Sequence, residues 1–151
     1  MAIDRIVVYK SRHILEAWSG STCKTWEVAL GVEEGAKTRE GDYRTPEGFY
    51  FIAAKRSDGV YRYFLTISYP NARDRAAFEE AKRTGVLPKD ARIGGQVGIH
   101  GTGWKRTELR GILEGRPILL HWTSGCLAVS DEVIAELYAE APIGTSVLIN
   151  P

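Results

Sequence analysis

Short apolar or alternating runs, bounded by glycine, serine and proline, recur along the first half of the chain and predict strands. Ile6-Val7-Val8-Tyr9 and Ile14-Leu15-Glu16-Ala17-Trp18 flank a turn around Lys10-Ser11, so Asp4 to Trp18 reads as a hairpin. Ser19-Gly20-Ser21 marks the next turn. Thr25 to Leu30 alternates and reads as a third strand ending at Gly31. Glu33 to Gly48 is charged and glycine-rich without periodicity, hence a loop. Within it Gly41-Asp42-Tyr43-Arg44-Thr45-Pro46-Glu47-Gly48 packs turn formers densely: Pro46 presets φ and Gly48 permits φ above zero. An ordinary structural turn would account for it as well. Phe49 to Ala54 and Tyr61 to Tyr69 read as further strands, the latter closed by Pro70.

The period then changes. Asn71 is a good N-cap with Asp74 three residues on, Ala76, Ala77, Phe78 and Ala81 give an apolar side, and Gly85 stops a helix over Asn71 to Thr84. Gln96 to His100 reads as a short strand, Gly101 to Gly115 as a polar excursion, and Arg116 to Trp122 as another strand. Ser130 caps a second helix with Asp131 and Glu132 in its first turn and an apolar stripe of Val133, Ile134, Leu137 and Tyr138. Thr145 to Ile149 is a last strand. The expected fold is therefore mainly β with two helices, a single domain over residues 1–151 with no repeat or linker.

Charge excludes several partners. Twenty basic residues against nineteen acidic ones give a net charge of +1, with no block of like charges, so neither nucleic acid nor an anionic membrane surface is predicted. No stretch is apolar enough to span a bilayer, and Met1 to Tyr9 lacks the apolar run of a signal peptide. Either the chain works where it is made or an export segment lies outside it. The two cysteines, Cys23 and Cys126, are a weak signal for a disulfide.

Cys126 follows His100 by 26 residues, too far for one helix or turn, so the two meet only if the fold sets two elements side by side. An imidazole beside a thiol can take its proton, and glycine before the cysteine lets the backbone turn sharply, so that nearby N–H groups can face a developing oxyanion. Thr123-Ser124-Gly125-Cys126 thus reads as a nucleophile turn. A buried free cysteine and a core histidine are the plainer reading of the same residues. His100, His121 and Cys126 also compose a candidate zinc set, but lack metal-site spacing and an obvious fourth ligand.

Five pieces in order resemble the L,D-transpeptidase family with the YkuD-type domain: Gly41-Asp42-x-Arg44-Thr45-Pro46-Glu47-Gly48-x-Tyr50, Ser68-Tyr69-Pro70-Asn71, Gly98-Ile99-His100-Gly101, Trp122-Thr123-x-Gly125-Cys126-Leu127-Ala128-Val129, and Gly144-Thr145-x-Val147-x-Ile149. The resemblance implies a β-sandwich or curled mixed sheet cradling a helix. It implies a cysteine enzyme, without cofactor or metal, acting on peptidoglycan stem peptides in the cell envelope, and we expect a monomer. The donor's bond between the third residue, diaminopimelate, and D-alanine would be cut through a thioester, which an acceptor amine resolves to a 3-3 cross-link. Hydrolysis by an L,D-carboxypeptidase, stem capping by a D-amino-acid-exchanging toxin, and a non-catalytic binding module are the alternatives.

Residue by residue, the resemblance makes Cys126 the nucleophile, His100 the base and Gly101 the carbonyl that orients the imidazole. It places the oxyanion hole at the amides of Gly125, Cys126 and Ser124. Where the commonest family pattern is Ser-His-Gly-Cys, this chain has Ser124 in the histidine position, as in a branch with Trp-Thr-x-Gly-Cys. Arg110, Trp104, Lys105 and Arg106 fall where the family places a substrate-facing lid. His121, Trp122 and Tyr69 complete the candidate substrate-binding residues. Asn71 is also a cleft candidate, with helix capping as its alternative role.

Overall fold

The computed structural model describes residues 1–59, 62–101 and 121–151, with the His121 side chain outside that set. Among these residues, strands β1 (Arg5–Tyr9), β2 (Ile14–Ser19), β3 (Thr22–Glu27), β5 (Gly48–Arg56), β6 (Phe64–Ile67), β7 (Gly98–His100), β9 (Leu127–Ala128) and β10 (Ser146–Asn150) form one curled mixed sheet in the order β3-β2-β1-β10-β5-β6-β7-β9. Strands β4 (Leu30–Gly31) and β8 (His121–Thr123) pair in parallel beside it, tied to β9 by a bridge between Ala29 and Ala128. Helices α1 (Ala72–Arg83) and α2 (Asp131–Glu140) complete the regular structure. No helix among the described residues is long and apolar enough to cross a membrane.

The first hairpin forms as expected, its turn a single 3-10 turn at Lys10–Arg12. The third strand differs from expectation. It begins at Thr22, because Gly20-Ser21 makes a two-residue turn, and ends at Glu27, where the Val28 amide turns back to the His13 carbonyl at 3.0 Å. Leu30 then pairs with β8 instead. The strand expected from Tyr61 is described only from Phe64; Tyr61 lies outside the described residues. It stops at Ile67, where the Ser68 hydroxyl accepts the Phe51 amide in place of a strand carbonyl. The strand expected from Gln96 starts at Gly98, since Gln96 has φ 56° and cannot be extended.

Both helices start where their caps predict. Asn71 and Asp74 form a reciprocal capping box on α1, and Ser130 Oγ accepts from the Val133 amide on α2. Helix α2 has no basic residue in its last turn. Lys55 of β5 supplies the missing cation, donating to the carbonyls of Tyr138 and Ala141 at 2.5 and 3.0 Å. Ile134 and Leu137 of α2 enter the core with Ile6, Val8, Leu15, Ile52, Leu65, Ile99, Leu127, Val147 and Ile149.

Loop 33–47 lacks periodicity, yet buried charges hold it. Lys10 Nζ donates to the Gly35 and Thr45 carbonyls and to Glu47 Oε2, which uses all three of its donors. Lys37 Nζ pairs with Asp42 Oδ1 at 3.0 Å, and Asp42 also accepts from the amides of Thr38, Arg39 and Arg44.

Candidate active site

Parallel pairing of β7 with β9 sets Ile99 beside Leu127 and His100 beside Ala128. Extending that register by one residue sets Cys126 beside Gly98. Side chains two apart on a strand share a face, so His100 and Cys126 look out on the same side of neighbouring strands. Both line one cleft of about 340 Å³, together with Trp122, Thr123, Ser124 and Gln96, and with Tyr43, Arg56 and Phe64. A larger hollow of about 520 Å³ lies under loop 33–47, at Lys10 and Glu47, and contains neither residue.

His100 is 2 % exposed, and its ring lies between Phe64, stacked at 5.8 Å, and Trp122, edge-on at 5.8 Å. Its Nδ1 is 2.5 Å from the Gly101 carbonyl oxygen, which requires the proton on Nδ1 and leaves the lone pair on Nε2. Burial pushes the imidazolium down to about 4, against a smaller upward pull from the Gly101 carbonyl, so the ring is neutral at neutral pH. Gly101 is itself enclosed: a Cβ there would lie 2.5 Å from Asp131 Oδ1.

Cys126 and Cys23 are both free thiols. Burial pushes the Cys126 thiol above its ordinary range, while the Gly98 amide and the charges of Lys37 and Arg56 pull it back in part. Its Sγ lies 3.7 Å from the Gln96 carbonyl, a thiol donor contact. Burial thus disfavours the charged form of each group.

The turn carrying Cys126 is closed by Thr123, whose Oγ1 accepts from the Gly125 amide at 3.1 Å and donates to the Cys126 carbonyl at 2.6 Å. The Gly125 amide, expected at the oxyanion hole, donates to Thr123 Oγ1 within the turn. The amides of Ser124 and Cys126 have no partner among the described residues. Gly125 has φ 140°, and a Cβ there would lie 2.8 Å from the Arg44 carbonyl and 3.7 Å from Lys37 Nζ. The turn that carries Cys126 therefore rests directly on loop 33–47.

Trp122, expected among the substrate-binding residues, lines the cleft. Tyr69, expected at the cleft, is instead 6 % exposed in the core, with its hydroxyl donating to the Ile93 carbonyl at 3.3 Å. Burial needs that hydroxyl satisfied internally, and Ile93 does so. Asn71 is a helix cap, donating also to the Phe49 carbonyl. Trp104, Lys105, Arg106 and Arg110 lie outside the described residues, as does the His121 side chain. Among the described residues no group of three or more His, Cys, Asp or Glu could hold a metal ion.

Three contributors escaped the sequence reading: Thr123 as the turn's clasp, Lys37 beneath it, and Arg56 at its mouth. A threonine two residues before a glycine is a recognisable side-chain turn signal. The other two carried none, since burial and cross-strand position decide them.

The described fold matches several solved structures. Campylobacter jejuni Pgp2, a helical cell shape determining protein, aligns with TM-score 0.66 and 20 % identity over 97 % of this chain and 47 % of its own. Bdellovibrio bacteriovorus Bd1075 aligns with TM-score 0.61 and 22 % identity, over 98 % of this chain and 48 % of its own. An Enterococcus faecium L,D-transpeptidase aligns with TM-score 0.60 and 15 % identity, over 99 % and 50 %. The chain thus spans about half the length of these proteins. Escherichia coli (strain K12) YafK, provisionally named an L,D-transpeptidase, is 42 % identical over 50 residues, which are 32 % of this chain and 20 % of YafK. Residues 3–149 match the family described as the L,D-transpeptidase catalytic domain, YkuD. A match of that extent, on a chain that folds as those enzymes do, means that the protein belongs to the L,D-transpeptidase catalytic-domain family.

Proposed function

We propose that this chain is a peptidoglycan L,D-transpeptidase that works through a thioester on Cys126. The carrying observation is the shared cleft of Cys126 and His100 on paired parallel strands, with Nδ1 of His100 held by the Gly101 carbonyl. In this reading Cys126 Sγ attacks the carbonyl carbon of the third stem residue as its proton moves to His100 Nε2. Because burial disfavours both charged forms, His100 works as a general base during attack. The oxyanion is received by the amides of Cys126 and Ser124. Loss of one such donor costs about 2.7 to 4 kcal/mol elsewhere. Collapse breaks the C–N bond, His100 returns its proton to the departing D-alanine amine, and the thioester remains.

An acceptor amine then attacks the thioester, loses its proton to His100 and restores the thiol. Water in the same place would give the carboxypeptidase outcome. Both share the first half-reaction and the same residues.

Mass spectrometry of wild type and Cys126→Ala with disaccharide tetrapeptide tests the reading. Loss of D-alanine that depends on Cys126 is expected, with a cross-linked dimer as the transpeptidase product and a free tripeptide as the carboxypeptidase product. Undiminished turnover by Cys126→Ala would overturn the mechanism.

A further inference from the structure

Tyr43 is held in the left-handed region, φ 57°, a conformation that glycine takes freely and an aromatic residue takes at a cost. The surrounding backbone imposes it. The Tyr43 carbonyl accepts from the Glu33 amide at 2.9 Å, and the Arg44 amide that follows donates to Asp42 Oδ1 at 3.2 Å. Asp42 is itself fixed by Lys37 and by the Thr38 and Arg39 amides. Two residues earlier the same loop turns left-handed at Gly41, φ 80°, where glycine meets the same demand without strain. Position 43 therefore carries a side chain that its own backbone disfavours.

That side chain stands at the site. Tyr43 is 51 % exposed and lines the cleft with Cys126, Ser124 and Trp122. No hydrogen bond of its hydroxyl and no ring contact among the described residues offsets the strain. Ring and hydroxyl are thus left for a molecule in the cleft.

Strand order also gives Tyr43 a side of the sulfur. Ala128 of β9 pairs with His100 of β7 on one edge and with Ala29 on the other, where β4 leads into loop 33–47. His100, with Phe64 paired to it, lies on one side of Cys126. Tyr43 lies on the other, next to Arg44, whose carbonyl backs Gly125. In the proposed reaction His100 gives its proton to the leaving amine and takes one from the acceptor, so both amines pass on the β7 side. The acyl half stays on the sulfur through both steps and falls to the opposite side.

We propose that Tyr43 is a specificity-determining residue for the acyl half of the donor, its ring walling the cleft opposite His100 and its hydroxyl donating to a carbonyl or carboxylate of the stem peptide. The division into acyl and leaving halves rests on the proposed function; a ligand contact at Tyr43 does not.

Tyr43→Gly and Tyr43→Phe test it in two backgrounds. In a Cys126→Ala protein, calorimetry measures binding of disaccharide tetrapeptide and of disaccharide tripeptide, which is the acyl half alone. Tyr43→Gly is expected to weaken both equally, by about 10- to 100-fold, and Tyr43→Phe by about threefold, as for one neutral hydrogen bond. With Cys126 present, release of D-alanine should show a raised KM and an unchanged kcat, because the contact is the same before and during bond breaking. Two controls exclude a damaged site. Tyr43→Gly should not unfold below the wild-type temperature, since it sheds the strain. Alkylation of Cys126 by iodoacetamide, read on the Cys126 peptide, should stay within about twofold, since the thiol itself is untouched.

Unchanged affinity for both ligands overturns the proposal, as does a loss confined to the tetrapeptide, which would move Tyr43 to the leaving side. A lowered unfolding temperature together with slower alkylation would make Tyr43 a structural residue and overturn it too. Weakened binding in a protein that releases no D-alanine upholds the contact and refutes the transfer reaction instead. Failure of both ligands to bind the Cys126→Ala protein overturns both readings.

Discussion

Lys37 and Asp42 form an ion pair 3.0 Å long, with side chains 5 % and 4 % exposed, beneath the turn that carries Cys126. Removing one member of such a pair leaves an uncompensated buried charge. Lys37→Met is expected to destabilise the protein by about 3 kcal/mol, the lower end of the range for broken buried pairs, because three amides still hold Asp42. Urea titration measures this. An unchanged midpoint would mean that the pair contributes nothing to holding the loop.

Thr123→Val removes the hydroxyl that joins Gly125 to Cys126 while keeping the side chain's shape. Two buried hydrogen bonds at about 1 kcal/mol each predict a loss of about 2 kcal/mol in stability. The alkylation rate of Cys126 should change as well, since its carbonyl loses an anchor. Thr123→Ser, which retains the hydroxyl, should recover both readings. Equal behaviour of the valine and serine variants would remove the clasp from the account.

Burial of the neutral His100 ring gives stability a defined pH window. The folded state holds its proton only below about 4, against 6.5 for the exposed ring, so between these values the unfolded chain binds more protons. Stability contributed by the neutral ring is whole above pH 6.5 and is lost as pH falls toward 4, by about 3 kcal/mol at most. His100→Gln should flatten this part of the stability-against-pH curve. A wild-type curve already flat from pH 6.5 to 4 would contradict the assignment.

Gln96 holds φ 56°, a left-handed conformation that costs a side-chain-bearing residue about 1 kcal/mol. In that conformation its carbonyl accepts from the Cys126 thiol. Gln96→Gly is expected to raise stability by up to about 1 kcal/mol, the relief being offset in part by the freer unfolded chain. Thermal unfolding checks the direction. A clear fall in Tm would show that side-chain contacts at Gln96 outweigh its backbone strain.

Much of the scaffold was legible because local chemistry dictates it. The Asn71–Asp74 capping box, the Ser130 cap and the Gly20-Ser21 turn each act within a few residues, and each appears where the sequence places it. His100 and Cys126 were legible as a pair by residue type, and the β7–β9 pairing brings them to one cleft. Commitments made across the fold were not legible. A lysine and an aspartate five residues apart in a polar loop read as solvated charge until that loop is packed under the turn that carries Cys126. Gly125 looked available as a donor because its amide partner depends on the rotamer of Thr123. Arg56 reached the cleft through register: one residue's slip on β5 would turn its side chain to the other face.

Strand β10 pairs with β1 on one side and β5 on the other, so residues 146–150 stand between the hairpin half of the sheet and the half that carries His100. Pairing Arg5 with Ser146 and Tyr9 with Asn150 closes the longest strand-to-strand loop among the described residues, the kind of contact that forms late and slowly. During synthesis, every residue of the cleft is therefore made before the sheet can become continuous. A nascent chain passes through an interval in which Cys126 exists before β10, the strand that joins the two halves of the sheet.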